Sequence, residues 1–432
     1  MPASAYLANL KASLDRMEAV CRFEVKSIEH DAASLIADLK QHALDNPEPI
    51  FAVLRRLHPV LLIKNFALVT RFADVQDVLM RDDVFAVTYG PKMRVVTGGP
   101  DFFLGMPNSP AYERDVSHMR TVIRRTDLSD IIAPFVSSTA ESIVANAGSH
   151  LEVVSQLTLP VPTRLVGNYF GCPLDSESQL AAWASTIFQY LFTDLDNDPA
   201  VDASARTASG GVREWLDRCI AREKATPSNS DTVLHRCLAL QAAGVPGMDK
   251  VSIRNNLLGI LVGAIPTTSK CCAQALDELL KRPDALAGAQ QAARDNDDAT
   301  LAQYVFEALR FHPNNPGVFR IAAQDYTVAK GTAHATVIPA GSMVLAATQS
   351  AMFDDKIVDS PNEFRTDRPG WCYLHWGFGL HTCFGQYINQ VQIPAILKPL
   401  LKRRNLRRAP GAQGALQVTG PFPTSLSVEF DT

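Results

Sequence analysis

The chain has 432 residues, with 41 Lys and Arg against 45 Asp and Glu, which gives a formal net charge of −4. This length predicts two or three domains by size alone, although single large enzyme folds also reach it. Hydrophobic residues make up 47% of the chain, which excludes a disordered or collagen-like protein. Nucleic acid is excluded as the main partner because no basic excess is present to displace counterions.

Cysteine use and hydropathy predict a soluble, cytoplasmic protein. The eight cysteines are scattered along the chain, so reduced thiols are the default. The first twenty residues carry charges too early for the core of a signal peptide. No uncharged apolar run approaches the roughly 18 residues of a transmembrane helix. We therefore expect an enzyme without a membrane anchor, acting as a monomer.

The first half of the chain predicts mainly helices. Residues 1–45 have amphipathic helical spacing, and residues 59–79 indicate two short strands followed by a helix. Residues 90–112 are rich in Gly, Pro and Asn and predict a loop. The next segment resumes helical spacing, with Arg120 and Arg124 expected on one face. Further helices are predicted at residues 132–147, 150–170, 174–194 and 205–223.

The second half adds a smaller β part. Residues 251–280 give the strongest helical pattern, interrupted by Pro266, and residues 299–313 give another helix. β-Branched residues and glycines in 317–348 predict short antiparallel strands, and residues 354–382 have neither period. A last helix follows from Gln386, and a last strand lies near the end. The chain therefore predicts a mainly α fold with a minor β part (α+β), as a single domain over residues 1–432.

The most informative segment is WGFGLHTCFG, residues 376–385. Glycines ahead of a helix indicate backbone passing close to a flat group, and a thiolate at a helix N-terminus is favoured by the dipole. Cys383 therefore suits an anionic metal ligand. A buried structural cysteine is the alternative. A zinc site is a weaker alternative, because the spacing of its ligands is not a familiar one. The ligands would be Cys372, His375, His381 and Cys383. Thr382 stands at the third glycine position of a dinucleotide loop and excludes that motif.

This segment resembles the haem-binding loop of the cytochrome P450 superfamily, F-G-x-G-x-[HR]-x-C-x-G, with Trp376 in place of the first Phe. The resemblance implies haem b as cofactor and Cys383 as the thiolate ligand of its iron. Trp376, Phe378 and Gly385 would contact the haem. The implied fold is a triangular prism that holds the haem between the long central helix and the helix after the cysteine.

Other segments resemble the same family in the expected order. Glu307 and Arg310 match its E-x-x-R pair and Arg368 matches the third member of that cluster, which would brace the cysteine loop. Three further residues would bind the haem propionates, for which permanently charged guanidinium groups are well suited; they are Arg120, Arg320 and His381. Residues 157–173 and the strand pair around residue 340 also match.

The central helix departs from the family pattern. Oxygen-activating members carry [AG]-G-x-[DE]-T, and here Pro266 replaces the acid of the proton-relaying acid–alcohol pair. Pro266 predicts a kink, because it has no N–H and crowds the carbonyl of Val262. The catalytic candidates are the hydroxyls of Thr267 and Thr268, with a proton route through Thr267 and water left open. Fatty-acid peroxygenases carry Arg-Pro here, but Ile265 precedes the proline in this chain.

The resemblance implies a haem-thiolate monooxygenase that uses dioxygen and a separate ferredoxin or flavodoxin to oxidise an apolar small molecule. A basic docking face for that donor is predicted from Arg120, Arg124, Arg125, Lys398, Lys402, Arg403 and Arg404. Residues 86–106 are expected to cover an apolar pocket with Phe102, Phe103, Leu104 and Met106. The alternatives are a peroxygenase, isomerase or dehydratase that needs no electron partner, and a haem-binding sensor without turnover.

Overall fold

The computed structural model describes residues 47–227 and 230–431, so the helix predicted in residues 1–45 lies outside the described residues. The described chain forms two compact units. The first unit contains the described residues up to Ala86 with 315–363 and 370–380, and the second contains the rest. The single domain stays a prediction.

The structure is mainly helical, as the sequence predicts. The helices are α1 (Glu48–Leu57), α2 (Phe72–Met80), α3 (Gly90–Thr97), α4 (Pro110–Val122), α5 (Ala133–Ala145), α6 (Pro160–Phe170), α7 (Glu177–Phe188), α8 (Pro199–Ala225), α9 (Val233–Ala242), α10 (Lys250–Leu280), α11 (Pro283–Asp295), α12 (Asp298–Phe311), α13 (Thr348–Ala351) and α14 (Gln386–Leu401). The strands are β1 (Val60–Ile63), β2 (Phe66–Val69), β3 (Phe85–Val87), β4 (His150–Glu152), β5 (Val318–Ala322), β6 (Tyr326–Val328), β7 (Thr336–Ile338), β8 (Met343–Ala346), β9 (Arg407–Arg408), β10 (Gln417–Thr419), β11 (Phe422–Ser425) and β12 (Ser427–Glu429).

The first unit is built on a five-stranded sheet in the order β1-β2-β8-β5-β3. The predicted strand pair is confirmed, since β1 and β2 run antiparallel with Val60 opposite Val69. The antiparallel strands predicted in 317–348 are also found, as β5 with β8 and β6 with β7, whereas β8 is parallel to β2. Helix α1 buries Ile50, Phe51 and Leu54 in a small core against this sheet.

The second unit is organised around the long helix α10, which packs against α6, α7, α8, α12 and α14. Asp249 starts α10 as its N-cap and accepts hydrogen bonds from the backbone N–H groups of Val251 and Ser252. The helix runs through Pro266 without the predicted interruption. A proline removes only one backbone hydrogen bond, and packing on most faces of this 31-residue helix holds the remaining turns.

The loop predicted at residues 90–112 is wrong in part, because it contains α3 and the start of α4. The glycines and prolines of this segment mark helix ends. Gly98 ends α3 in the left-handed conformation at φ 82°, and Ser109 caps α4 by accepting a hydrogen bond from the N–H of Tyr112 at 3.1 Å. Because α4 ends at Val122, Arg124 lies beyond the helix and does not share a helical face with Arg120.

The helix predicted over residues 150–170 is also shorter than expected. It is preceded by β4 and by a π-helical turn at Val154–Thr158, and α6 proper begins at Pro160. Strand β4 pairs with β12 at the end of the chain, so a partner distant in sequence overrides the local helical pattern. None of the helices in the described part of the chain combines the length and apolar character that a bilayer-spanning segment requires.

Candidate active site

Cys383 lies two residues before Gly385, the N-cap of α14. Its side chain is half-buried, and the backbone N–H of Gly385 donates a hydrogen bond to the sulfur. Burial raises the pKa of the Cys383 thiol, while the Gly385 N–H and the charge of Arg120 oppose that rise. The thiol therefore keeps its proton at neutral pH until a bound metal ion displaces it.

The surroundings of Cys383 fit a flat prosthetic group. Gly385 has an ordinary φ of −82°. A Cβ there would lie 3.9 Å from the sulfur and 3.6 Å from Nδ2 of Asn389, which are ordinary contacts. Neither backbone conformation nor protein packing requires this glycine, so it leaves space beside the sulfur. A Cβ on Gly263 of α10 would likewise meet no described atom within 4 Å. The residues present therefore fit a haem.

The other two glycines of the motif belong to the first unit and have a different explanation. Gly377 and Gly379 both have φ 73°, a conformation that favours glycine. A Cβ on Gly379 would also clash with the carbonyl oxygen of Leu79. Trp376 and Phe378 are half-buried in this segment, and the Trp376 ring meets that of His375 edge-on at 6.3 Å. The haem contacts of Trp376 and Phe378 stay predictions.

Arg120 fastens α4 to the cysteine segment. Its Nη1 donates a hydrogen bond to the carbonyl oxygen of Phe384 at 3.1 Å, and its guanidinium lies 4.1 Å from the centre of the Phe384 ring. Burial lowers the pKa of Arg120, although Tyr387 and Cys383 act against this. The sequence assigned Arg120 to a propionate and to the basic docking face. It did not indicate the bond to Phe384, because a bond between residues 264 positions apart leaves no local signal.

The two other propionate candidates lie in different units. His381 is half-buried in the second unit, with its ring edge-on to Tyr112 at 5.9 Å. Arg320 lies on β5 of the first unit, where it is 6% exposed and Nη1 donates to the carbonyl of Phe319 at 2.8 Å. Propionate binding by these residues stays a prediction.

One face of α10 is partly accessible to solvent, whereas the residues that lie between the residues of this face in the sequence are buried. Its members are spaced three or four apart, as on one helical face, and they are Ile260, Gly263, Ala264, Thr267 and Lys270. We call this set the open face of α10. Cys271 lies one turn after Thr267. Burial raises the pKa of the Cys271 thiol, and the nearby Cys383 sulfur raises it further.

The two predicted threonines have different surroundings. The hydroxyl of Thr267 lies on the open face and donates to the carbonyl of Gly263 one turn earlier. Thr268 is fully buried; it donates to Oδ1 of Asn389 at 3.0 Å and accepts from Nε2 of Gln392 at 3.1 Å. Thr268 thus links α10 to α14, and Thr267 is the hydroxyl that remains on the accessible side.

Lys270 was missed by the sequence analysis. It lies one turn after Thr267 on the open face, and burial lowers its pKa to about 8. Within the described part of the chain, no hydrogen bond or ion pair holds its ammonium group. The sequence signal that could have identified Lys270 is its position three residues after Thr267, since residues i and i+3 lie on the same side of a helix.

The predicted Glu307, Arg310 and Arg368 meet in the interior of the second unit. The Glu307 carboxylate accepts from Nη2 and Nε of Arg310 at 2.7 and 3.0 Å, and from Nε of Arg368 at 3.2 Å. The backbone N–H of Arg365 donates to the same carboxylate at 3.0 Å. All three charged side chains are almost fully buried, so the cluster fixes residues 365–368 onto α12.

The predicted pocket segment contributes mainly to packing. Phe102 and Phe103 are fully buried. A Cβ on Gly259 of α10 would overlap the Phe102 ring, and the Phe103 ring lies 5.3 Å from that of Phe384. These aromatic side chains therefore fill the space between α10 and the cysteine segment. Leu104 and Met106 remain partly accessible, as a pocket wall requires.

The zinc alternative stays a prediction, because Cys372 and His375 lie in the first unit and His381 and Cys383 lie in the second. Among the described residues, the one group of three or more acidic, His or Cys side chains close enough to share an ion is Asp277, Glu278 and His312. Its carboxylates are paired with cations: Lys281 contacts both, Arg282 contacts Glu278, and Arg408 contacts Asp277. This group is an ion-pair network joining α10 to its neighbours.

Comparisons with known proteins agree with this geometry. The family model described as Cytochrome P450 matches residues 202–417. A bifunctional dioxygenase (DOX)-epoxy alcohol synthase (EAS) of Fusarium oxysporum is 26% identical over 356 residues, which cover 69% of this chain and 27% of that protein. The erythromycin C-12 hydroxylase of Saccharopolyspora erythraea is 26% identical over 345 residues, covering 78% of this chain and 81% of that protein.

The solved structure of CalO2 has 21% sequence identity and a TM-score of 0.76, covering 91% of this chain and 97% of that one. At this identity the likeness shows the fold. The chain spans only 27% and 36% of the length of two epoxy alcohol synthases that it matches, in Fusarium oxysporum and Pyricularia oryzae.

Proposed function

The chain belongs to the cytochrome P450 family of haem-thiolate enzymes, and we propose that it is a monooxygenase that inserts oxygen into an apolar small molecule with electrons from a separate donor. The observation that carries the proposal is the half-buried Cys383 at the N-terminus of α14, with room beside its sulfur at Gly385. The predicted P450 fold agrees with the solved relatives.

Cys383 would hold the iron of haem b, and Arg120, Arg320 and His381 would bind the propionates. When bound, haem supplies a thiolate-ligated iron that activates oxygen. The Gly385 N–H donates to the sulfur and thereby draws electron density from it, which tunes the ligand. Glu307, Arg310 and Arg368 fix the segment before the cysteine loop without touching the reacting atoms.

Proton delivery is assigned to the open face of α10. Pro266 has no titratable group, so the acid of the usual pair is missing. The hydroxyl of Thr267 and the ammonium of Lys270 lie one turn apart on this face. A lysine with a pKa of about 8 is mostly protonated at pH 7 and gives up its proton more readily than an ordinary lysine. Lys270 would hold the proton, and Thr267 with water would pass it on.

The electron donor would be an acidic ferredoxin or flavodoxin that docks near Cys383. The guanidinium groups of Arg120 and Arg125 lie 5.7 and 3.6 Å from the ring centre of Tyr387 on α14. Two other members of the predicted basic face are paired with carboxylates, since Arg124 contacts Asp231 and Lys398 contacts Asp298. The docking face that we propose therefore consists of Arg120, Arg125, Lys402, Arg403 and Arg404. The enzyme would be monomeric and cytoplasmic.

A second candidate function uses a peroxide in place of dioxygen and electrons. The replacement of the acid by Pro266 favours it. It is further supported by the similarity to a Fusarium oxysporum protein named as an epoxy alcohol synthase. In this case the chain would oxidise with, or rearrange, a hydroperoxide, and it would need no electron donor.

One turnover experiment separates these functions. Aromatic, terpene, fatty-acid and fatty-acid hydroperoxide compounds are incubated with the haem-loaded enzyme. One arm contains hydrogen peroxide, one contains NADH, ferredoxin and ferredoxin reductase, and one contains no addition. Product only in the reductive arm supports the monooxygenase. Product only with peroxide, or from the hydroperoxide alone, supports the second candidate. Binding without product in any arm would contradict both and indicate a haem-binding sensor.

A further inference from the structure

Two cysteines far from Cys383 in sequence meet where the segment after α6 crosses α8. Trp215 donates from Nε1 to the carbonyl of Pro173 at 3.0 Å, and Arg218 forms an ion pair with Asp175 at 2.6 Å. Cys219 lies one helical turn after Trp215, on the same face of α8. Gly171 and Pro173, the two chain neighbours of Cys172, line the same cavity as Cys219, which brings Cys172 next to Cys219.

The two thiols are hydrogen-bonded to each other. The hydrogen bond from Cys172, whose sulfur also lies 3.9 Å from the carbonyl oxygen of Phe170, lowers the pKa of Cys219. Burial opposes the change, and Arg222 adds to it. The same hydrogen bond, together with burial, raises the pKa of Cys172. The arrangement favours a thiolate at Cys219 and a thiol at Cys172, which are the forms that an oxidisable cysteine and its resolving partner need.

Both cysteines are largely buried, and only 5% of Cys219 is exposed. Cys219 lines an open cavity of about 520 Å³ together with Arg164, Arg222 and Glu223, whereas Cys172 is fully buried behind it. A third thiol, Cys237, is fully buried, and burial raises its pKa to about 12. A small oxidant in the cavity therefore meets the sulfur of Cys219 first.

We propose that Cys219 and Cys172 form a redox pair that a hydroperoxide converts to a disulfide. The Cys219 thiolate attacks the terminal oxygen of the hydroperoxide, so that an S–O bond forms and the O–O bond breaks. The leaving alkoxide takes a proton and becomes an alcohol. The sulfur of Cys172 then attacks that of Cys219, and the hydroxyl leaves as water with the Cys172 proton. Two thiols and one hydroperoxide thus give a disulfide, an alcohol and water.

This inference does not depend on the proposed function, because it needs neither turnover nor an electron donor. It assigns a modification site to the cavity beside α8, and it names hydroperoxides as the class of oxidant. Any disulfide formed would join the end of α6 to α8, which packs directly on the central helix α10. A thiol reductant would reverse it.

The test is peptide mapping of the haem-loaded protein after exposure to hydrogen peroxide. The protein is alkylated under denaturing conditions and digested. We expect two of the eight cysteines to escape alkylation, and a cross-linked peptide containing Cys172 and Cys219 that dithiothreitol removes. Cys237→Ser is the matched control and should form the same cross-link at the same rate.

The resolving role has its own variant. In Cys172→Ser the sulfenic acid on Cys219 should persist and be trapped by a 1,3-diketone reagent; Cys172→Ala serves the same purpose if the serine variant does not fold. Three results would overturn the proposal. They are a cross-link from Cys219 to Cys237, irreversible oxidation of Cys219 without any cross-link, and no reaction of Cys219 at peroxide concentrations that oxidise glutathione.

Discussion

Arg120 donates a hydrogen bond to the carbonyl of Phe384, the residue directly after Cys383, at 3.1 Å. The same guanidinium lies 4.1 Å from the centre of the Phe384 ring, so one side chain of α4 holds both the backbone and the aromatic group of this residue. The position of the cysteine segment therefore depends on a helix that is distant in sequence.

Replacing Arg120 with Gln should destabilise the protein by about 1.5–3 kcal/mol, because the hydrogen bond comes from a charged donor. Chemical denaturation measures the change. Arg125→Gln is the matched control: it removes the same charge and a contact with Tyr387 at 3.6 Å, worth about 0.5–1 kcal/mol at an exposed site. Equal losses in the two variants would show that the bond to Phe384 contributes nothing.

Glu307→Gln should cost about 3–5 kcal/mol of unfolding free energy, since it removes one partner of a fully buried charge cluster. Glu429→Gln breaks the exposed pair with Arg407 and should cost less than about 1 kcal/mol. Urea denaturation of both variants makes the comparison. A cost for Glu307→Gln as small as that of the control would contradict the bracing role of the cluster.

Lys270→Met should stabilise the protein at pH 7, because burying the charged ammonium group of Lys270 lowers the free energy of unfolding at that pH. The folded-state pKa of about 8 lies below the ordinary 10.5, so the unfolded state binds more protons between these values. Stability of the unaltered protein should therefore rise with pH from about 8 to 10.5, and the advantage of Lys270→Met should shrink over the same range.

Thermal unfolding at pH 7, 9 and 10.5 tests this expectation. The exposed Lys330 supplies the control, Lys330→Met, which should show no such trend. An advantage of Lys270→Met that is independent of pH would show that the Lys270 ammonium group lies in water rather than in buried surroundings. The proposed role of Lys270 in proton delivery would then lose its support.

Asp127 and Arg236 form a buried ion pair, with Nη1 and Oδ2 2.5 Å apart. Burial alone would raise the pKa of Asp127, but hydrogen bonds from Arg236 and Tyr169 outweigh it and lower the pKa below 3.8. The stabilisation that this ion pair supplies is present above pH 3.8, the ordinary pKa of an aspartate. It is lost as the pH falls through the lower pKa that Asp127 has in the folded protein.

Arg236→Met should therefore cost about 3–5 kcal/mol at pH 7, because the buried Asp127 carboxylate loses its cation and keeps the hydrogen bond from Tyr169. The variant also breaks the pair with Asp231, which is largely exposed and contributes less. The cost should fall at pH 3, where the Asp127 carboxyl group binds a proton. Denaturation at the two pH values measures it. A cost that is equal at both would show that the charge of Asp127 is not what Arg236 stabilises.

The sequence predicts those parts of the site that depend on local motifs. The resemblance to the cytochrome P450 family implied a cluster of Glu307, Arg310 and Arg368, and the structure brings these three residues together. The sequence could also have identified Lys270, because its spacing from Thr267 follows from helical periodicity alone.

The remainder depends on tertiary contacts. Thr268 carries the same hydroxyl as Thr267, and only packing against Asn389 and Gln392 of α14 separates their roles. The loop predicted at 90–112 was wrong in part because Gly98 and Ser109 are helix caps. A cap cannot be distinguished from a loop residue without the helix beside it.

The absorption spectrum of the reduced carbon-monoxide complex tests the central claim most directly. The account predicts a red-shifted band, which reports a thiolate ligand, in the haem-loaded protein and its loss in Cys383→Ala. Cys372→Ala is the control from the same stretch of sequence and should keep the band. Retention of the red-shifted band in Cys383→Ala would contradict the assignment of Cys383 as the iron ligand.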